Sequence, residues 1–188
     1  MPTCGTLGEM PELKLVEVFD PAYLADLQQL SLADLRSKRD LCAELETDLS
    51  YLRRLAQARI DLITAESERR NLGLSAPEPD ALVEQLPQIL GEHARPGGPG
   101  RLPTFLAPAE GAQARLAARV DGICPSDQLG SLAELPSTQL DELLAGLVSL
   151  ERDVSDERRA LHAIQDRIQE EIVRRYKSGE ASVDALLA

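Results

Sequence analysis

Glu46 to Asp61 reads ETDLSYLRRLAQARID, and the chain repeats this pattern at Glu151 to Asp166 as ERDVSDERRALHAIQD. In both segments the same types of polar residue fall at steps of four, three, four and four. The matching positions are Glu46, Ser50, Arg53, Gln57 and Asp61 in the first motif, and Glu151, Ser155, Arg158, His162 and Asp166 in the second. An α-helix turns by about 100° per residue, so these steps keep the five side chains of each motif on one face. Each motif therefore predicts a polar stripe about 22 Å long on a helix.

Apolar residues recur every seven positions through both motifs, which is typical of helices that pack on each other. They are Leu35, Cys42, Leu49, Ala56 and Ile63 in the first segment, and Leu140, Leu147, Val154, Leu161 and Ile168 in the second. Leu45 and Leu52 add a second seam position in the first helix, and Leu143, Leu150 and Ile164 do so in the second. Adjacent helices in one chain ordinarily pack antiparallel. The pattern predicts an all-α fold: a long antiparallel two-helix coiled-coil hairpin with a short N-terminal helix and a partly ordered connector.

A polar stripe on a helix is usually only its solvated face, and this reading applies to each motif taken alone. The repeat favours a shared role for the two stripes, because residues outside the stripe also match in the same register: Asp48 with Asp153, and Arg54 with Arg159. In an antiparallel hairpin the stripes would run in opposite senses beside the seam. We expect them to be related by an approximate two-fold axis near Arg53 and Arg158.

This repeated pattern resembles the cyclic-di-GMP-binding signature of the RsiG family, anti-sigma factors that hold the sporulation sigma factor WhiG in filamentous actinobacteria. The first motif fits the signature at every position, whereas His162 stands in the second where Gln is expected. The resemblance implies cyclic di-GMP as a regulatory ligand, bound as a monomer or as a stacked dimer, and a WhiG-type sigma factor as the protein partner.

The central arginines and the terminal aspartates of the stripes suit the two edges of guanine. An Arg fork can meet the O6 and N7 acceptors, and a carboxylate can accept from the N1 and N2 hydrogens. We therefore assign Arg53 and Arg158 to guanine or phosphate, and Asp61 and Asp166 to the guanine hydrogens.

The other stripe residues receive secondary roles in this hypothesis. Glu46 and Glu151 would contact guanine hydrogens or orient the arginines. The shorter polar contacts would come from Ser50, Ser155, Gln57 and His162. Arg54 and Arg159 lie one step off the stripe and are assigned as supporting charges.

Composition excludes several other classes of function. The net charge of -12 disfavours a surface built for DNA or for an anionic membrane, and it suits a basic protein partner such as a sigma factor. The three cysteines, Cys4, Cys42 and Cys124, are too far apart in the chain to indicate a metal site or a disulfide framework. No apolar run approaches the length of a membrane span, and the start lacks a signal pattern, so we expect a cytoplasmic protein. Motifs for a nucleophile, a phosphate loop or a metal set are missing, so we expect no enzymatic activity.

Turn and capping signals divide one helical domain, 1–188, into segments. The predicted segments are a flexible tail (1–12), a short N-terminal helix region (13–30), a long helix (31–72), a connector (73–136), a second long helix (137–179) and a tail (180–188). Asp20 before Pro21 predicts that a short helix starts there and runs through PAYLADLQQL. Ser31 with Asp34 resembles a capping box for the first long helix, and Thr138 with Asp141 for the second.

The connector has weaker signals of secondary structure than the long helices have. Pro77 to Leu86 and Ala109 to Val120 are candidate short helices, and Ala94 to Pro103 is a loop by composition. Beyond the second motif, the basic cluster of Arg174, Arg175 and Lys177 is explained by the dipole of a helix C-terminus.

Two functions stay open from the residues. The first is an anti-sigma factor regulated by cyclic di-GMP. The alternative is a coiled-coil scaffold or adaptor that binds a basic protein partner without nucleotide. Stripes that pair with the opposite helix would favour the scaffold, and stripes left open would favour the ligand site.

Overall fold

The computed structural model describes residues 11–75, 89, 108 and 111–180. Its α-helices are α1 (Pro11–Phe19), α2 (Leu32–Asn71), α3 (Ala112–Asp121) and α4 (Ser137–Ser178). Two 3-10 helices, Pro21–Leu24 and Ser126–Glu134, precede α2 and α4, and the second is kinked at Ser131. The long helices α2 and α4 pack on each other as the predicted hairpin. No helix in the described ranges combines the length and the apolar character needed to cross a membrane.

Local chemistry explains where the long helices begin and end. Ser31 Oγ accepts from Asp34 N at 3.1 Å while Asp34 Oδ2 accepts from Ser31 N at 3.2 Å, which is the predicted capping box at the start of α2. Gly73, just beyond α2, has φ +67°, and Gly179, just beyond α4, has φ +77°. Glycine adopts this left-handed conformation without the steric cost of a Cβ, so both helices end there as predicted.

The chain divides into two compact units, and the boundary crosses each long helix once. Unit 1 comprises Met1–Leu49 and Asp156–Ala188, and unit 2 comprises Ser50–Ser155. The organisation as one domain stays a prediction.

In unit 1, the first half of α2 packs antiparallel against the second half of α4. Arg36 donates to the hydroxyl of Tyr176, and further along α2 Glu46 accepts from Arg158. The buried apolar residues of this unit are Val18, Tyr23, Leu35, Cys42, Leu45, Leu49, Leu161, Ile168 and Ile172.

The N-terminal segment is fastened to α2 in unit 1 through Tyr23 and Lys38. The Tyr23 hydroxyl donates to Lys38 O at 3.2 Å, and Lys38 Nζ donates to Tyr23 O at 3.0 Å. The same Nζ lies 3.5 Å from the centre of the Tyr23 ring, a cation–π contact. Burial raises the pKa of the Tyr23 hydroxyl, so it stays a hydrogen-bond donor.

In unit 2, the second half of α2 packs antiparallel against the first half of α4, and α3 and the second 3-10 helix cover the pair. Arg53 contacts Glu151, and Arg70 contacts Ser137. The buried apolar residues here are Leu52, Ala56, Ile63, Ala112, Leu116, Val120, Cys124, Leu132, Leu140, Leu147 and Val154. The seven-residue repeats of both helices are buried, with Leu45 and Leu52, whereas the second seam positions of α4, at Leu143, Leu150 and Ile164, are only partly buried.

The N-terminal region differs from its predicted form. The α-helix is Pro11–Phe19, which begins inside the predicted tail, and the segment from Pro21 forms only a 3-10 helix to Leu24 followed by turns. Asp20 does cap this short helix, because its Oδ1 accepts from Ala22 N at 2.8 Å. The backbone is extended at Ala25, which breaks the predicted continuation.

The other predicted boundaries are close to the observed ones or fall outside the described ranges. The helix predicted at Ala109 to Val120 is α3, and α4 begins at Ser137, one residue before the predicted cap. The predicted helix at Pro77 to Leu86 and the loop at Ala94 to Pro103 lie outside the described residues, as do almost all of the residues of both predicted tails.

Candidate functional site

The unit 2 cluster consists of Arg53, Gln57, Glu151 and Ser155, and it joins the two motifs. Arg53 Nε donates to Glu151 Oε1 at 2.7 Å and to Ser155 Oγ at 3.0 Å. Ser155 Oγ also donates to Glu151 Oε1 at 3.0 Å, and Gln57 Nε2 lies 3.4 Å from the same oxygen. One carboxylate oxygen therefore collects donors from both long helices.

The unit 1 cluster consists of Glu46, Arg158 and His162, and it has the same plan with the helices exchanged. Arg158 Nη2 donates to Glu46 Oε1 at 2.7 Å, and His162 Nε2 lies 3.9 Å from that oxygen. In each cluster, the arginine of one motif pairs with the glutamate of the other. The residue four positions after the arginine approaches the same glutamate.

The heptad pattern explains this placement. Each motif glutamate and each motif arginine stands three residues before a buried seam position, such as Arg53 before Ala56 and Arg158 before Leu161. Side chains at that position flank the seam, so their aliphatic stems cover apolar neighbours while their charged heads reach the edge. Accordingly the side chains are 35% exposed for Arg53, 23% for Glu151, 24% for Arg158 and 25% for Glu46.

The remaining predicted site residues lie along the same helices. Ser50 and Asp61 in unit 2 are half-buried, and Asp166 in unit 1 is exposed. On an α-helix Asp61 stands about 12 Å beyond Arg53, at a rise of about 1.5 Å per residue. Of the supporting arginines, Arg54 is exposed, and Arg159 is exposed and pairs with Asp156 on its own helix.

The bonded pairs leave part of the arginine chemistry accessible. Arg53 makes both of its bonds to Glu151 and Ser155 from Nε, so those bonds do not use its Nη edge. A guanidinium fixed by a carboxylate on one side can offer its other N–H groups to an acceptor such as guanine O6 and N7, or to a phosphate oxygen.

Peripheral segments are held in place by arginines that the sequence analysis did not assign as contacts, Arg59 and Arg70 in unit 2 and Arg175 in unit 1. In unit 2, Arg59 donates to Cys124 O, to Asp121 Oδ1 at 2.5 Å and to Ser126 Oγ at 3.0 Å. Hydrogen bonds from Ser126, and then from Arg59, lower the pKa of Asp121. Arg70 donates to Leu132 O at 2.8 Å.

In unit 1, Arg175 holds the segment that precedes α2. The explanation of this arginine by the dipole of the helix C-terminus, which the sequence suggested, is therefore wrong. Arg175 is buried, and its Nη1 and Nη2 donate to Leu30 O at 2.6 Å and Leu27 O at 2.8 Å. Its Nε donates to buried Glu171 at 2.8 Å. Hydrogen bonds from Arg174 and Arg175 lower the pKa of Glu171 to about 2.

A sequence signal for two of these arginines exists in the heptads. Arg59 falls seven residues after Leu52, and Arg175 falls seven residues after Ile168, so each occupies a seam position where an apolar residue is expected. A charge at such a position is costly unless it is hydrogen-bonded, which indicates a specific partner.

Comparison with known protein families finds a similarity over part of the chain. The RsiG-like family matches residues 21–90, which include all of α2 and the complete first motif. The second motif lies beyond the matched residues. No curated protein matches the chain. The chain is thus similar to the RsiG-like family over less than half of its length.

Proposed function

We propose that this chain is an anti-sigma factor that binds cyclic di-GMP through its two motifs. In this proposal it sequesters a WhiG-type sporulation sigma factor in a ligand-stabilised complex, which represses transcription by that sigma factor. The RsiG-like match supports an anti-sigma function and a sigma-factor partner. The observation that carries the ligand proposal is the occurrence of two chemically matching Arg–Glu clusters, one in each unit, each built from both motifs.

The chemistry of each cluster supports a guanine nucleotide as the ligand. Arg53 and Arg158 supply guanidinium donors for guanine acceptors or phosphates, and Asp61 and Asp166 supply carboxylates for the guanine N1 and N2 hydrogens. A dinucleotide with two identical halves has two such guanines, and the chain has two such sets. Glu46 and Glu151 hold the arginines, which is one of the two roles considered for them.

Charge supports the same assignment of roles. Cyclic di-GMP carries two negative charges, and the chain has a net charge of -12. The attraction must therefore come from nearby arginines, since a charge interaction weakens with distance and screening. The acidic remainder of the surface suits a sigma factor, whose DNA-facing parts must be basic.

Ligand control of the complex requires only a difference in affinity. If cyclic di-GMP binds the complex of both proteins more tightly than the separate chain, it stabilises that complex by the same factor. A tenfold difference would correspond to about 1.4 kcal/mol.

The experiment is calorimetric titration of the full chain with cyclic di-GMP, in the absence and presence of a WhiG-type sigma factor. The proposal predicts nucleotide binding that is tighter with the sigma factor present, and tighter sigma-factor binding with the nucleotide present. A sigma factor that binds equally well with and without nucleotide would contradict ligand control.

The second candidate is a coiled-coil scaffold that binds a basic protein without nucleotide. The cross-helix pairs Arg53–Glu151 and Arg158–Glu46 favour it, because they satisfy motif charges within the chain. These side chains keep a quarter to a third of their surface exposed, which favours the ligand site. In the same titrations, no heat from cyclic di-GMP under either condition would select the scaffold.

A further inference from the structure

The two clusters differ at one position, and the difference is chemical. In unit 2, the residue that approaches the glutamate is Gln57, whose amide donates hydrogen bonds at every pH near neutrality. In unit 1 it is His162, whose side chain is 51% exposed and whose Nε2 lies 3.9 Å from Glu46 Oε1. A neutral imidazole has one N–H donor, whereas a protonated one has two donors and a positive charge.

The arginines of the two clusters are also held differently. Arg53 Nε makes two hydrogen bonds, to Glu151 and Ser155. Arg158 Nε is buried and has no hydrogen-bond partner in the part of the chain that the structure describes. A buried donor without an acceptor is unfavourable, so Arg158 Nε is less well satisfied than Arg53 Nε.

The charged groups around His162 set the direction of a pH effect. From α2, Glu46 faces it, and Arg39 lies two helical turns earlier on the same side, paired with Asp40 at 2.8 Å. On α4, Arg158 and Arg159 lie about one turn before His162, Arg159 being paired with Asp156, and Asp166 lies one turn after it. Because Arg158 already pairs with Glu46, protonation of His162 adds a positive charge that this pair does not cancel.

We propose that His162 makes ligand binding at the unit 1 cluster sensitive to pH. The protonated imidazole forms an ion pair with Glu46 at the position where Gln57 approaches Glu151, shares that carboxylate with Arg158, and adds a cation for the anionic dinucleotide. Binding of cyclic di-GMP therefore strengthens as the pH falls from about 8 to about 5.5. This inference rests on the proposed nucleotide function.

The test is calorimetric titration of the full chain with cyclic di-GMP at about pH 5.5 and about pH 8, the range in which histidine changes charge. One added positive charge near the anionic ligand predicts binding about tenfold tighter at the lower pH for the wild type. The ratio of the affinity at the lower pH to that at the higher pH should fall to about one in His162→Gln, which has the residue of the first motif at this position. The matched control is His93→Gln, which changes the one other histidine of the sequence and should keep the wild-type ratio.

The outcomes separate this inference from the proposed function. Binding at both pH values with the same ratio in His162→Gln as in the wild type overturns the inference and leaves nucleotide binding intact. If the wild type binds cyclic di-GMP equally tightly at both pH values, the inference is also overturned and nucleotide binding is left intact. An absence of binding at both pH values in every variant overturns the proposed nucleotide site, and the inference with it.

Discussion

Arg53 Nε lies 2.7 Å from Glu151 Oε1 on the opposite long helix, and within unit 2 this bond ties the centre of the first motif to the start of the second. The equivalent bond in unit 1 joins Arg158 to Glu46, also at 2.7 Å. Each motif thus supplies the arginine of one cluster and the glutamate of the other. Residues that repeat along the sequence serve here as partners across the hairpin.

A double-mutant cycle on Arg53 and Glu151 should give a small coupling energy for folding. Both side chains are partly exposed, and ion pairs of this kind contribute about 0.2–1 kcal/mol. The cycle uses Arg53→Ala, Glu151→Ala and the double variant, with free energies of unfolding from urea titration in the absence of nucleotide. A coupling above about 3 kcal/mol, as expected for a buried pair, would mean that the cluster primarily stabilises the hairpin.

Replacing Arg59 with Met should destabilise unit 2. The substitution keeps the apolar stem but removes the donors to Cys124 O, Asp121 and Ser126, and leaves a buried carbonyl without its partner. We expect a loss of about 2–3 kcal/mol in the free energy of unfolding. Arg152→Met, an exposed arginine in the same unit, is the control and should change stability by less than about 0.5 kcal/mol. Equal stability of the two variants would contradict the assigned role of Arg59.

Gly146 should tolerate no side chain while Ile123 is present. A Cβ at Gly146 would lie 2.8 Å from Ile123 Cγ2, and the β-branched side chain has little freedom to move away. Ala is ordinarily about 1 kcal/mol better than Gly inside a helix, but overpacking costs about 1–3 kcal/mol. Gly146→Ala should therefore lower the melting temperature in the wild type and be neutral or stabilising in an Ile123→Ala background. The same loss in both backgrounds would contradict this packing.

Glu171→Gln should reduce stability at neutral pH and have little effect in acid. The arginine hydrogen bonds hold the pKa of Glu171 at about 2 in the folded chain, below its ordinary value of 4.5. A lowered carboxyl pKa stabilises the folded state above the unfolded-state pKa, and this contribution is lost as the pH falls from 4.5 to about 2. Thermal unfolding across this range should show the gap between variant and wild type closing. Glu170→Gln, at an exposed neighbouring position, is the control and should show no such trend.

The long helices were predictable because their signals are local and repeated. The heptads placed Leu35 and Leu161 in the seam, and Ser31 and Gly73 marked the two ends of α2. The N-terminal helix was misplaced because the cap at Asp20 and Pro21 is strong but local. It does not specify how far the helix continues, and the helix ends at Leu24 because the backbone is extended at Ala25.

The residues of the candidate site were predictable from the repeat, but their partners were not. The sequence put Arg53 and Glu151 in equivalent stripes, yet their pairing depends on the register of two antiparallel helices, which neither stripe specifies alone. The partners of Arg175 could not be predicted from the sequence either. Its carbonyl partners at Leu27 and Leu30 are far away in the chain, and nothing near Arg175 in the sequence indicates them.

The most direct test of the central claim is calorimetric titration of cyclic di-GMP into the full chain and its motif variants. Arg53→Ala, Arg158→Ala and Asp61→Ala should each weaken binding at least about tenfold, since each removes a charged contact to guanine or phosphate. Arg167→Ala, at an exposed arginine of α4 outside both motifs, should bind as the wild type does. Wild-type affinity in all three motif variants would contradict binding through the two motifs.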